Sequence, residues 1–239
     1  MPRWKSIYPI MILEIFKEYT IKYLTLIIAL FCTTSYSIAQ EYELGVDVVS
    51  RYVWRGVDLA PGAAMQPAFS ISAGGFSVGS WASYAISPQA AGADEHDFWV
   101  SYAFGPVTLT ATDYYFPGSN ARFFNYDNNG KGAHVLEAAV GYEGPVSLLF
   151  AANVYNDTEN SLYMEIGWES ESGVGLAAGI TKGTSAWYAV SGDGLAVTHV
   201  TVRYQRDIKI TQDFSLPVSG QIIVNPTLEK SFFVVGFSL

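Results

Sequence analysis

From Glu41 to the last residue the chain alternates apolar and polar residues with a period of two, segment after segment, and Gly, Pro, Asn and Asp punctuate the breaks. A chain patterned this way forms strands, each with one apolar and one polar face. Strands are expected at about 42–55, 64–73, 76–86, 95–105, 107–115, 133–142, 146–155, 160–169, 174–182, 196–206, 214–224 and 231–239, about 12 in all. The eighth shows the pattern well. Leu162, Met164, Ile166 and Trp168 share one face, against Ser161, Tyr163, Glu165, Gly167 and Glu169. The first sets Leu44, Val46, Val48, Tyr52 and Trp54 against Glu43, Asp47, Arg51 and Arg55. The third sets Phe76, Val78, Ala82, Tyr84 and Ile86 against Ser77, Gly79, Trp81 and Ser83.

The connections fall into two sets. After even-numbered strands most are tight, as at Gly74-Gly75, Gly105-Pro106 and Glu143-Gly144-Pro145, with 207–213 longer. After odd-numbered strands most are long, at 56–63, 87–94, 116–132, 183–195 and 225–230. Short turns at one end and long loops at the other characterise outer-membrane barrels, and an even strand number puts both termini on the short-turn, periplasmic side.

Composition agrees. Half of the residues are hydrophobic and only 15% are charged, against roughly 25% in an ordinary soluble domain. Yet no apolar run of roughly 18 residues exists outside the first 39, so helical spans are not expected. A closed barrel is the remaining way to satisfy every backbone group in lipid. The expected fold is therefore all-β: a single antiparallel up-and-down transmembrane barrel over 40–239. A soluble barrel or sandwich would use the same alternation with its apolar face inside. Against it stand the recurrence of apolar faces at near-spanning length and an aromatic level formed by Phe104, Tyr142, Trp168, Tyr204, Phe76, Phe214 and Phe237, which reads as an interfacial girdle.

Residues 1–39 read as a secretory signal peptide. Lys17 and Lys22 precede the apolar stretch Tyr23–Cys32, and Ser37-Ile38-Ala39 supplies small residues for cleavage before Gln40. The single cysteine, Cys32, lies in this leader, so no disulfide framework is expected in the remainder. Arg3, Lys5, Lys17 and Lys22 stand there against Glu14 and Glu18, which leaves 9 basic and 20 acidic residues beyond it. That balance argues against a nucleic-acid partner.

Ser50-Arg51-Tyr52-Val53-Trp54-Arg55-Gly56 resembles the opening motif of the TorF-type porin family, and Tyr114-Tyr115-Phe116-Pro117-Gly118 resembles that family's central Tyr-x-Tyr-Pro segment. The resemblance runs over most of the chain beyond the leader. It implies an outer-membrane barrel of porin type with no established substrate. The chain ends in Leu239 where the usual residue is Phe; Phe237 places an aromatic two positions earlier for recognition by the barrel-assembly machinery.

No catalytic or metal constellation is legible. His96, His134 and His199 form no pair at metal-ligand spacing, and no serine stands where an outer-membrane lipase would need its nucleophile. The chain is read as a non-enzyme without a cofactor, and His134 as a rim residue. Asp113, on the apolar parity, needs a bulge or water to relieve it. Lys182 and Arg206 share that parity at the rims, where they snorkel.

The polar face carries the more informative set: Asp47, Glu137 and Glu165 near mid-height, Arg51 above and Arg203 below, Glu169 and Glu43 toward the periplasmic mouth, Asp97 and Glu95 toward the outer one, with Arg55 at the end of the first strand. These are either a charged filter or a network that plugs a narrow lumen, which inward Trp81, Trp99, Tyr155 and Tyr163 narrow further. The 118–132 loop is a candidate to fold into the lumen as a lid or to bind an outside partner, its run Asp127-Asn128-Asn129-Gly130 reads as a solvated turn, and 186–191 is a candidate extra strand. The expected function is a small passive, cation-preferring channel, with the bilayer and small solutes or ions as partners. The alternative is a non-conducting barrel serving adhesion, envelope structure or partner binding through its loops.

Overall fold

A computed structural model describes residues 40–86, 94–117 and 122–239. Residues 1–39, read above as a leader, and residues 87–93 and 118–121 lie outside the described residues. The strands are β1 (Gln40–Val49), β2 (Tyr52–Trp54), β3 (Val57–Ala60), β4 (Ala64–Ala73), β5 (Phe76–Ala85), β6 (Glu95–Phe104) and β7 (Val107–Tyr115). They continue as β8 (His134–Tyr142), β9 (Ser147–Tyr155), β10 (Leu162–Glu169), β11 (Val174–Lys182), β12 (Leu195–Lys209), β13 (Ser215–Asn225) and β14 (Lys230–Ser238). Twelve of them, β1 and β4 to β14, form a closed barrel in which each strand pairs antiparallel with its chain neighbour, and β1 closes on β14. The expected up-and-down barrel is the fold.

Gly74 and Gly75 both take positive φ (+58° and +83°), as a two-residue hairpin turn requires. Gln40 pairs with Ala73 beside that turn, and Leu239 exchanges backbone bonds with Val46. Both chain ends of the barrel therefore lie at its short-turn end.

The faces are inverted relative to a soluble domain. Leu44, Phe69, Phe98, Phe150, Ile166, Val200, Ile222 and Phe233 are exposed on the outside, while Ser83, Glu95, Glu137, Asn153 and Thr181 are buried inside. Phe76, Phe104, Tyr142, Trp168, Tyr204 and Phe214 are all exposed, toward the short-turn end.

Four departures from the sequence reading have local causes. The first strand does not run through residue 55. It leaves the wall after Val49, and residues 52–60 form a separate two-stranded hairpin of β2 and β3. Tyr52 and Trp54, expected on the outer face, belong to the buried interior instead. Second, a bulge in the β8–β9 ladder pairs Leu136 with Tyr155 but Glu137 with Asn153. The extra residue flips the parity, so Tyr155 points outward, where its hydroxyl donates to the Tyr126 carbonyl. Third, β12 continues through Lys209, which pairs with Ser215, so the first three residues of the connection read at 207–213 are ladder. Fourth, 186–191 is not a strand; one bridge, Ser185 to Val190, closes a loop there.

The described part of the 118–132 loop lies over the outer wall. Its Tyr126 ring stacks on His134 at 3.9 Å, and its hydroxyl donates to Asp113 at 2.8 Å. His134 is fully buried and joins Asp113 at 2.8 Å. Asp113 is thus relieved by a histidine and a tyrosine, with no bulge beside it in the β6–β7 or β7–β8 ladder.

Candidate functional site

The site is the lumen, and the β2–β3 hairpin defines it. After Ser50, still bonded to Val235 in both directions, the chain turns inward. Arg51 binds Asp58 at 2.6 Å within the hairpin. The tip is Arg55-Gly56, with φ of +48° and +85°, again a two-residue turn. Gly56 is required for a second reason: a Cβ there would lie 2.1 Å from the Thr198 carbonyl oxygen on β12. Its own carbonyl accepts from Asn225 at 3.0 Å, and Asn225 is buried. The tip is therefore pressed against β12 and the end of β13.

The hairpin fills the long-loop half of the lumen. Tyr52 packs on Trp81 (centroids 5.4 Å apart) and donates to Glu95 at 2.9 Å. Trp54 stacks on Tyr188, 5.6 Å and nearly parallel, with its edges toward Tyr114 and Trp187. Trp187 and Tyr188 come from the 183–194 loop, which is tied to the β9–β10 turn by Ser161 Oγ and Ser185 Oγ at 2.6 Å. The buried apolar clusters of the described barrel both form around this hairpin.

Arg55 is the centre. Its guanidinium donates to both oxygens of Glu137, at 2.6 and 2.9 Å, and to the Tyr188 hydroxyl at 2.9 Å. It lies over the Tyr163 ring at 4.2 Å and beside its own neighbour Trp54 at 4.5 Å. Glu137 also accepts from Tyr114 at 3.2 Å. The Arg55 and Glu137 side chains are 12% and 4% exposed, so this is a buried, bidentate pair of the strong kind.

Beneath the hairpin a cavity of about 470 Å³ extends to the tight turn at Glu143–Pro145. Arg55, Glu165, His199, Arg203, Glu169 and Gln221 are among the residues that line it. Glu165 Oε2 accepts from Tyr163 and lies 3.1 Å from His199 Nε2. His199 Nδ1 lies 2.9 Å from the Thr201 hydroxyl. At the mouth Arg203 reaches across Gly175 to Glu169 at 2.5 Å.

The candidates named from sequence thus separate. Arg55 with Glu137 and Arg203 with Glu169 are brought together as ion pairs, and Arg51 pairs within the hairpin. Glu165 joins a histidine and a tyrosine. Asp97 is buried two residues from Glu95 on β6. Asp47 stays on the wall, opposite Gln66 and Ser238. Arg51 and Arg55 are not wall residues, because the strand that would carry them ends at Val49. His199, Tyr188, Trp187 and Asn225 were not singled out by sequence. His199 had a signal: it shares the inward parity of Thr201 and Arg203.

The geometry defines a class, a twelve-stranded up-and-down barrel with a hairpin of its own chain folded into the lumen. Residues 35–191 match the family described as "Bacterial protein of unknown function (Gcw_chp)", and the chain belongs to that family. The matched span covers the whole hairpin together with Tyr114, Glu137, Tyr163 and Tyr188. No curated protein matches the chain.

Proposed function

We propose that this chain is an outer-membrane barrel, a small cation-preferring channel of porin type held closed at rest by the β2–β3 hairpin. The apolar exterior supports the membrane setting: a soluble barrel would leave Leu44, Phe150 and Phe233 in water on every side, far beyond the few hundred Å² of apolar patch typical of a monomer. With the short turns and both barrel termini in the periplasm, the long loops face outward. The resemblance to TorF-type porins points the same way.

The observation that carries the closed state is the bidentate Arg55–Glu137 contact in mid-lumen. The wall alone offers Glu43, Asp47, Glu95, Asp97, Glu137, Glu165 and Glu169 against Arg203 and His199. The hairpin supplies Arg51 and Arg55. Withdrawn, it would leave a lumen of strongly negative potential, which enriches cations. The alternative of a non-conducting barrel is favoured by the same packing if the hairpin never leaves.

Planar-bilayer recording separates the two. Wild-type protein should be silent or open rarely, and Arg55→Ala should conduct steadily with a reversal potential set by the cation gradient. A folded Arg55→Ala barrel with no conductance would favour the non-conducting reading, and an anion-selective pore would contradict the filter.

A further inference from the structure

Trp54 of the hairpin walls one side of the Arg55 pocket, but the remaining groups come from outside the hairpin; Glu137 and Tyr163 are held without it, and the Tyr188 ring, though it also stacks on Trp54, is stacked on Tyr163. Glu137 (β8) is fixed by the Tyr114 hydroxyl of β7. Tyr163 (β10) is fixed by Glu165 and lies 2.8 Å from His199. Tyr188 belongs to the 183–194 loop, where its backbone N–H donates to Ser185, which in turn holds Ser161. What remains when Arg55 is subtracted is a carboxylate presenting two parallel acceptors, a tyrosine ring below it and a hydroxyl beside it.

We propose that Glu137, Tyr114, Tyr163 and Tyr188 form a receptor for a planar organic cation of the guanidinium class, occupied at rest by the protein's own Arg55. The carboxylate takes two parallel N–H groups, a match that a round ammonium lacks. The Tyr163 face adds cation–π attraction to a flat cation seated 4.2 Å above it. The cavity beneath is lined by Arg55 and Glu165 and reaches the short-turn end, whereas Tyr114, Glu137, Tyr163 and Tyr188 are buried behind the Arg55 tip, so a solute gains the receptor as the tip gives way. A free cation must compete with a tethered one, whose effective concentration is on the order of millimolar for a short tether. Occupancy of the receptor by a solute therefore displaces the tip and, on the closed-channel reading on which this proposal rests, unlocks the plug.

The test is calorimetric titration of the Arg55→Ala barrel, folded in detergent micelles, with methylguanidinium chloride at millimolar concentrations, well below denaturing levels. Saturable one-to-one binding is expected, with methylammonium at least roughly tenfold weaker. Adding Glu137→Gln should abolish it. No saturable heat, equal affinity for methylammonium, or binding that survives in the double variant would overturn the receptor. If Arg55→Ala does not fold, amide exchange of residues 50–60 in the wild-type barrel decides: methylguanidinium should speed it, methylammonium at equal concentration should not, and an unchanged rate would overturn the proposal. Neither readout depends on conduction. A wild-type barrel that conducts steadily would sink the closed-channel reading while leaving the receptor to stand or fall on the titration.

Discussion

The two halves of the lumen contain the same chemical motif, an arginine bound to a glutamate, in opposite settings. In the long-loop half, Arg55 and Glu137 are 12% and 4% exposed, walled by Trp54, Tyr163 and Tyr188. In the short-turn half, Arg203 and Glu169 are 43% and 51% exposed at a wet mouth. The distances are alike, 2.6 and 2.5 Å, so contact geometry says nothing of their different worth. Desolvation decides it. A buried charge cannot lose its partner cheaply, whereas water replaces the partner of an exposed one. The first pair holds the hairpin tip to β8; the second is an exposed contact at the short-turn end.

The largest effect that would break this contrast comes from cutting the buried pair. Arg55→Ala should destabilise the barrel by up to about 3–5 kcal/mol, the full cost applying while the hairpin stays in and Glu137 is buried and uncompensated. Combining it with Glu137→Gln should recover part of that loss. Urea unfolding in lipid measures both, and additive losses would show that the two residues do not act as a pair.

A smaller loss tests how tightly the tip is seated. Gly56→Ala must place a Cβ against the Thr198 carbonyl and hold a non-glycine residue at φ +85°. The left-handed conformation alone costs on the order of 1–3 kcal/mol. Gly183→Ala, at φ +79° with nothing near its Cβ, carries only that backbone cost. A Gly56→Ala loss no greater than that of Gly183→Ala would show that the hairpin tip has room to move.

The turn that anchors the 183–194 loop supplies a pH test. Burial alone would raise the Asp157 carboxyl, but hydrogen bonds from Ser161, Asn153 and the Glu159 backbone outweigh it and hold it below the usual carboxylate range. A folded-state value below the unfolded one means that this stabilisation is present above the unfolded carboxyl range. It is lost as pH falls through the lower, folded value. The protection of amides at 153–161, measured relative to their intrinsic exchange rate at each pH, should therefore fall in acid, and Asp157→Asn should flatten that dependence. An unchanged profile in the variant would assign the effect to other groups.

The smallest change is expected at the mouth. Arg203→Gln should cost about 0–1 kcal/mol while making the vestibule more negative. A loss as large as that of Arg55→Ala would abolish the distinction between the two halves.

Much of the barrel was legible in the chain because a period of two is a local property. Val200, Val202 and Tyr204 alternate with Thr201 and Arg203, and hydrogen-bonding geometry converts that directly into two faces. Tight pairs such as Gly74-Gly75 mark one end, since only they adopt the required φ cheaply. The same locality explains the errors. Arg51, Tyr52, Val53 and Trp54 prolong the alternation of β1 without a break, yet the chain leaves the wall at Ser50. Period reveals that a segment is extended and two-faced, not which neighbour or solvent each face meets. The bulge that turns Tyr155 outward inserts one residue, Val154, whose identity is unremarkable in a strand.

The sequence by itself determined the twelve strands of the wall to within a few residues, most of the sorting of apolar from polar faces and many of the residues available to the lumen. These follow from backbone stereochemistry and from nearest neighbours along the chain. Only the tertiary structure decided that Arg55 meets Glu137, 82 positions away, and that His199 meets Glu165. It also decided that Asp113 finds His134 and that half of the lumen is filled. Those outcomes depend on where closure of the barrel places each strand around the axis and on how much room is left inside. An inward-pointing side chain acquires its partner from across that space, and spacing along the chain carries no record of it.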